Sequence, residues 1–161
     1  MLLVLLAPAG PTNSAASKAL TTRAAKARSD GLNSIVGLLV GAGLSRRTHR
    51  TQPLAVATVR TSILSRPLEG FARTSLALAE ASSPPAYANI AADTLIVIGS
   101  EDKMAPRSEG ADVVYKGVRK GKIVVLKDVG HWPQLEKVDK TAKLLKDFVA
   151  GKTTASVFSR L

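Results

Sequence analysis

Two short stretches of this sequence hold the residues best suited to chemistry. "GSEDKMAP" (99–106) places Asp102 in a Gly-x-x-Asp turn, and "KDVGHWPQLE" (127–136) places His131 between Gly130 and Trp132. A carboxylate bonded to one imidazole nitrogen fixes the tautomer and leaves the other nitrogen to take a proton from a nucleophile. The acid precedes the base along the chain, the order in which one class of hydrolytic triads carries them. Glu101 and Asp128 stand next to these residues and are alternative holders of the imidazole. Trp132 reads as a packing residue, and His49, among Arg46, Arg47 and Arg50, as an exposed one.

Both candidates need elements that bring them to one place. Three short runs have strand character: LLVLL (2–6), TLIVI (94–98) and KIVVL (122–126). Each is apolar almost throughout and does not alternate, the pattern of a parallel sheet covered on both faces. The second run ends just before Asp102 and the third just before His131. In a parallel sheet all carboxyl ends share one rim, so the two residues project from the same side, where such sheets place their ligands.

Helices fill the intervals. Asn13 or Ser14 can cap a helix to about Arg28, which Asp30 and Gly31 end. A second covers roughly 32–42, a third has Pro53 in its first turn, and a fourth has Pro67 there, preceded by Ser65. A crossover needs one helix, so the segment 14–82, with about four, is expected to be an inserted helical lid. A crossover helix is expected over 108–118 and a closing helix after His131, with Val138, Ala142, Leu145 and Val149 as its apolar stripe and Gly151 as its end. The fold class is therefore α/β. Residues 1–150 form one domain, in which 83–150 is a strand–helix–strand–helix unit carrying Asp102 and His131, and 151–161 is a flexible tail.

Composition narrows the function classes. The chain has no cysteine, which excludes disulfides and thiolate chemistry, and its 45% hydrophobic content suits a globular protein. Its net charge is +11, with ten basic against three acidic residues before position 91, which favours anionic partners. The basic residues are spread over helices without interleaved aromatic side chains, so nucleic acid is not expected as a partner. "MLLVLLAPAG" lacks a basic residue ahead of its short apolar run and reads as a buried strand, and no apolar stretch approaches the length of a membrane span. No cofactor or metal is expected.

Taken together, "VLLAP", the helical segment, "PPAYANIAADTLIVIGSEDKMAP" and "VVLKDVGHWPQLE" resemble the C-terminal part of an α/β-hydrolase, close to the 3-oxoadipate enol-lactonases. The resemblance implies a partial α/β-hydrolase fold, with three parallel strands equivalent to strands six to eight and a lid inserted after the first. It also implies Asp102 and His131 as acid and base of ester or lactone hydrolysis. The family's nucleophile is a serine in a Gly-x-Ser-x-Gly elbow, which this chain lacks; "GLSRR" (43–47) has no closing glycine and no preceding strand. The expectation is a truncated and inactive chain that acts on a small-molecule ester or lactone only when completed by the missing part. The alternative is a non-catalytic basic module that binds an anionic partner or a second chain. The closing Ser159, Arg160 and Leu161 resemble a Ser-Lys-Leu peroxisomal address, which implies an import receptor as partner and the peroxisome as location, with the cytoplasm as the alternative.

Overall fold

The structure is a computed structural model and describes residues 1–152. Three strands, β1 (Leu2–Leu6), β2 (Asp93–Gly99) and β3 (Gly121–Leu126), form one sheet in the order β1-β2-β3, parallel throughout. The register pairs Leu5 with Ile96 and Ile96 with Ile123. Alternate side chains of β2 enter two separate cores. Leu95 and Val97 pack with Val4, Leu6, Val124, Leu126, Leu144 and Phe148 on one face, and Ile96 and Ile98 with Leu5, Ile123, Val125 and Val114 on the other. β2 is covered on both faces, as a continuous apolar run predicts, whereas β1 stays partly exposed along its length and β3 is buried only at Val124 and Leu126. Among the described residues β1 has a strand neighbour on one side only.

Five helices separate β1 from β2: α1 (Ser14–Asp30), α2 (Asn33–Gly43), α3 (Arg46–Thr51), α4 (Pro53–Leu64) and α5 (Leu68–Glu80). Asn13 caps α1, its Oδ1 accepting from Ala16 N at 2.9 Å. The one-and-a-half-turn α3 is missing from the sequence-based expectation because "RRTHRT" has no apolar period; Ser45 caps it instead, its Oγ accepting from Thr48 N at 3.2 Å. Ser65 closes α4 rather than opening α5, and Pro67 stands just before α5. This helical insertion has its own core, formed by Ala27, Leu32, Ile35, Val36, Leu39, Val40, Leu44, Val59 and Ile63, onto which Trp132 and Leu135 also pack. On its surface Arg28 grips Glu69 with two bonds, of 3.0 and 2.7 Å, and Arg73 adds a third at 3.0 Å. Hydrogen bonds from Arg28 and then Arg73 hold the Glu69 carboxyl down to about 2.

After a short 3-10 turn at Tyr87–Asn89 and β2, the crossover is α6 (Ala111–Gly117), shorter than expected, and β3 leads to α7 (Pro133–Glu136) and α8 (Val138–Val149). The buried stripe of α8 is Thr141, Leu144 and Phe148; the expected stripe points outward, leaving Val138 and Val149 57% and 67% exposed. The bulkier Leu144 and Phe148 fill the sheet face, and Thr141 Oγ1 donates to Pro133 O at 2.8 Å, which sets the rotation of the helix. No described helix is long and apolar enough to cross a membrane. The expected address at Ser159, Arg160 and Leu161 lies outside the described residues.

Candidate functional site

The carboxyl ends of β2 and β3 meet closely. Gly99 closes β2, and a Cβ there would run into the backbone carbonyls of Val129 and Gly130, so only glycine lets the two loops touch. Asp102 follows in a tight turn, its Oδ1 accepting from Met104 N and Ala105 N, each at 2.9 Å. That turn aims Oδ2 at His131, whose Nδ1 donates to it at 2.8 Å. The Asp102 side chain is 2% exposed and the His131 side chain 23%. The imidazole is therefore anchored at Nδ1 by a buried carboxylate. Its Nε2 has no hydrogen-bond partner among the described residues. A histidine so held can accept and return a proton at Nε2.

The structure brings Asp102 and His131 together and gives the two alternative acids other tasks. Glu101 Oε2 accepts from Arg46 N at 3.0 Å and faces Arg46 Nε at 3.6 Å. Asp128 turns the chain with a φ of 57°, its N–H bonded to Ser100 Oγ at 3.0 Å. Trp132 stands edge-on to His131, with ring centroids 5.3 Å apart, and packs against the end of α2, where Gly43 leaves room for its ring. Ser45 of "GLSRR" is fully buried and its hydroxyl bonds Thr48 Oγ1 at 2.9 Å, so it serves as a helix cap. His49 is exposed on α3 and lines a surface cleft of about 690 Å³ with Arg46, Arg47, Arg50, Glu101 and Asp128. Another cleft, of about 390 Å³, lies at the opposite, amino-terminal ends of the strands, between Leu2, Asp93 and Lys120. Among the described residues no three His, Cys, Asp or Glu side chains stand close enough to hold a metal ion.

Sequence reasoning missed Glu136. This carboxyl group is 3% exposed, at the end of α7. Its Oε1 accepts from Gly130 N at 2.9 Å and Trp132 N at 3.3 Å, and its Oε2 from Ser45 N at 2.9 Å and Thr48 Oγ1 at 2.8 Å. Two of these donors lie 91 and 88 positions away along the chain, so no local pattern marks the residue.

No protein-family model matches the chain. Over 66 residues it is 35% identical to the 2-hydroxy-6-oxononadienedioate/2-hydroxy-6-oxononatrienedioate hydrolase of Escherichia coli, a match covering 41% of this chain and 23% of that protein. Among solved structures, a thermophilic esterase from Thermogutta terrifontis superposes with a TM-score of 0.81 at 24% identity, over 94% of this chain and 56% of that one. The enol-lactonase from Burkholderia xenovorans superposes with a TM-score of 0.77 at 22% identity, over 90% of this chain and 53% of that one. The chain thus spans about half the length of these structures and under a quarter of the Escherichia coli hydrolase. Its three parallel strands and their helices are the C-terminal part of an α/β-hydrolase fold.

Proposed function

On the strength of that fold, we propose that the chain supplies the acid, the base and the lid of an enzyme that hydrolyses small-molecule esters or lactones. The observation that carries this reading is the 2.8 Å bond from His131 Nδ1 to the buried Asp102, with Nε2 left open. The nucleophile is a serine hydroxyl brought by a segment outside this sequence. His131 Nε2 takes the hydroxyl proton as the serine oxygen attacks the ester carbonyl, and Asp102 stabilises the imidazolium that forms. The proton then goes to the alkoxide oxygen as the C–O bond breaks; in a lactone that oxygen stays tethered to the acyl group. Water, deprotonated by the same nitrogen, releases the acid and returns the serine. An esterase and an enol-lactonase among the structural neighbours, and a hydrolase among the curated relatives, agree with this class. By this reading the chain alone is inactive.

The test is an activated ester offered to the chain alone and to the chain combined with a segment that supplies five preceding strands and a Gly-x-Ser-x-Gly elbow. The chain alone is expected to stay at background. The combination is expected to turn over, to lose activity in His131→Ala, and to drop on the order of 10⁴-fold in Asp102→Asn. Turnover by the chain alone, or turnover indifferent to His131→Ala, would overturn the reading.

A second reading has its own observation. The guanidinium groups of Arg47 and Arg50 make no ion pair among the described residues, yet both line the cleft beside Glu101. A non-catalytic module would bind a polyanion or an acidic second chain there, with affinity falling steeply with salt. For location, Ser159, Arg160 and Leu161 are proposed as a peroxisomal address. A fluorescent protein fused ahead of them should reach peroxisomes and stay in the cytoplasm when Leu161 is deleted.

A further inference from the structure

The loop that carries His131 is fastened on two sides, to the end of β2 through Glu101 N and Val129 O at 2.8 Å and to the helical insertion. Gly130 N and Trp132 N donate to Glu136 Oε1, while His131 N donates to Gly43 O at 2.6 Å. Three consecutive backbone donors are therefore satisfied by one side chain and by the end of α2. Glu136 Oε2 turns the other way and takes Ser45 N and Thr48 Oγ1, at the start of α3. Each oxygen of one buried carboxylate thus serves a different part of the molecule. Its main-chain carbonyl adds a further tie, accepting from Gln52 Nε2 at 3.1 Å. The same first turn of α3 reaches the other loop of the site, through Arg46 N and Glu101 Oε2.

A buried carboxylate with no ion pair among the described residues is a costly way to pack two elements, since an apolar side chain would fill the space without desolvating a charge. What it provides is direction, because four donors can be met only in one arrangement of the loop and the insertion. We infer that Glu136 is a positioning residue, which holds the His131 ring in line with Asp102 and makes that alignment depend on the seating of the insertion at Ser45 and Thr48. The inference rests on the reading of His131 as proton carrier. It assigns the insertion a part in the site beyond covering it: when the stretch from Gly43 to Thr48 lifts, His131 N loses its acceptor and Glu136 Oε2 loses its two donors.

The experiment uses the full chain with ¹⁵N-labelled histidine, kept below any concentration at which it associates. His49, the other of the chain's two histidines, serves as internal reference. The readouts are the exchange rate of the His131 Nδ1 proton with water and the balance between its two tautomers. Replacement of one oxygen by an amide in E136Q sets a donor against donors. The loss of a bond to a charged group predicts exchange faster by about tenfold to a hundredfold, with a mixed tautomer and an unchanged His49. Thr48→Val, which removes one donor, should give a smaller acceleration in the same direction, and Thr48→Ser, which keeps the hydroxyl, should restore the parent rate. A folded E136Q with the parent exchange rate and tautomer would overturn the inference. If E136Q does not fold, the Thr48 pair decides: equal rates in Thr48→Val and Thr48→Ser would overturn it as well. An inactive combination in the esterase test, beside the expected exchange behaviour here, would count against the hydrolase reading and leave the positioning role standing.

Discussion

The helical insertion from Ser14 to Glu80 and the strand–helix–strand run from Asp93 to Leu126 are held by different means, and the candidate site lies where they join. In the run, β2 is buried on both faces, with Leu95, Ile96 and Val97 at 0% exposure, and every strand position has a neighbour at a set register. In the insertion, helices pack around a core that takes nothing from the sheet strands. The joint includes polar ties, Gly43 O with His131 N, Glu136 with Ser45, Thr48 and Gln52, and Arg46 with Glu101, beside the apolar Trp132 and Leu135. Asp102 is therefore placed by the sheet, and His131 by the end of β3 and by the insertion together. The pair lies where the two regions meet.

The largest expected effects come from cutting each core separately. Leu95→Ala and Ile35→Ala both empty fully packed positions, and each should cost about 2–5 kcal/mol in urea unfolding. Only Ile35→Ala should change the native fluorescence of Trp132, the chain's single tryptophan, because that ring packs on the insertion core. Equal changes from both variants would mean one continuous core and would break the comparison.

Glycine variants at the joint sharpen it. At Gly99 an added Cβ meets carbonyl groups of the backbone, which cannot swing aside, so Gly99→Ala should cost about 1–3 kcal/mol or more by overpacking. At Gly43 the obstacle is the Trp132 ring and Met104 Sδ, and side chains can move. Gly43→Ala should cost less, with a shift in Trp132 fluorescence that Gly99→Ala does not show. The reverse order would place the rigid contact on the insertion side.

The smallest effect belongs to the outer surface of the insertion. The Glu69 carboxyl is depressed from 4.5 to about 2 by Arg28 and Arg73, so its contribution is present above 4.5 and is lost as the pH falls toward 2. Glu69→Gln should flatten stability against pH in that window and change little at neutral pH, because an exposed pair is screened by solvent and salt. Urea midpoints at several pH values in low salt would measure it, and a large loss at pH 7 would contradict it.

The chemistry-bearing ends of β2 and β3 were legible because their signals are local. A short apolar run stopped by Gly-x-x-Asp or by Gly-His needs no knowledge of distant residues to read as a strand running into a rim loop. The same locality explains the omissions. "RRTHRT" has no apolar period to read, and what holds it as α3 is the Ser45 cap and the bonds of Glu136 to Ser45 and Thr48 from across the joint. Helix α8 carries two stripes a helix could bury, and its sequence does not rank Val138, Ala142, Leu145 and Val149 against Thr141, Leu144 and Phe148.

By itself, then, the sequence determined three parallel strands, a helical insertion and an aspartate and a histidine at one rim, since strand character, helix caps and breakers act over a few residues. Only the tertiary structure decided which acid meets the histidine, which face of α8 is buried, and that Glu136 ties the histidine loop to the insertion. Those outcomes depend on packing volume and on donors and acceptors more than eighty positions apart, and they exist only once the two regions are in contact.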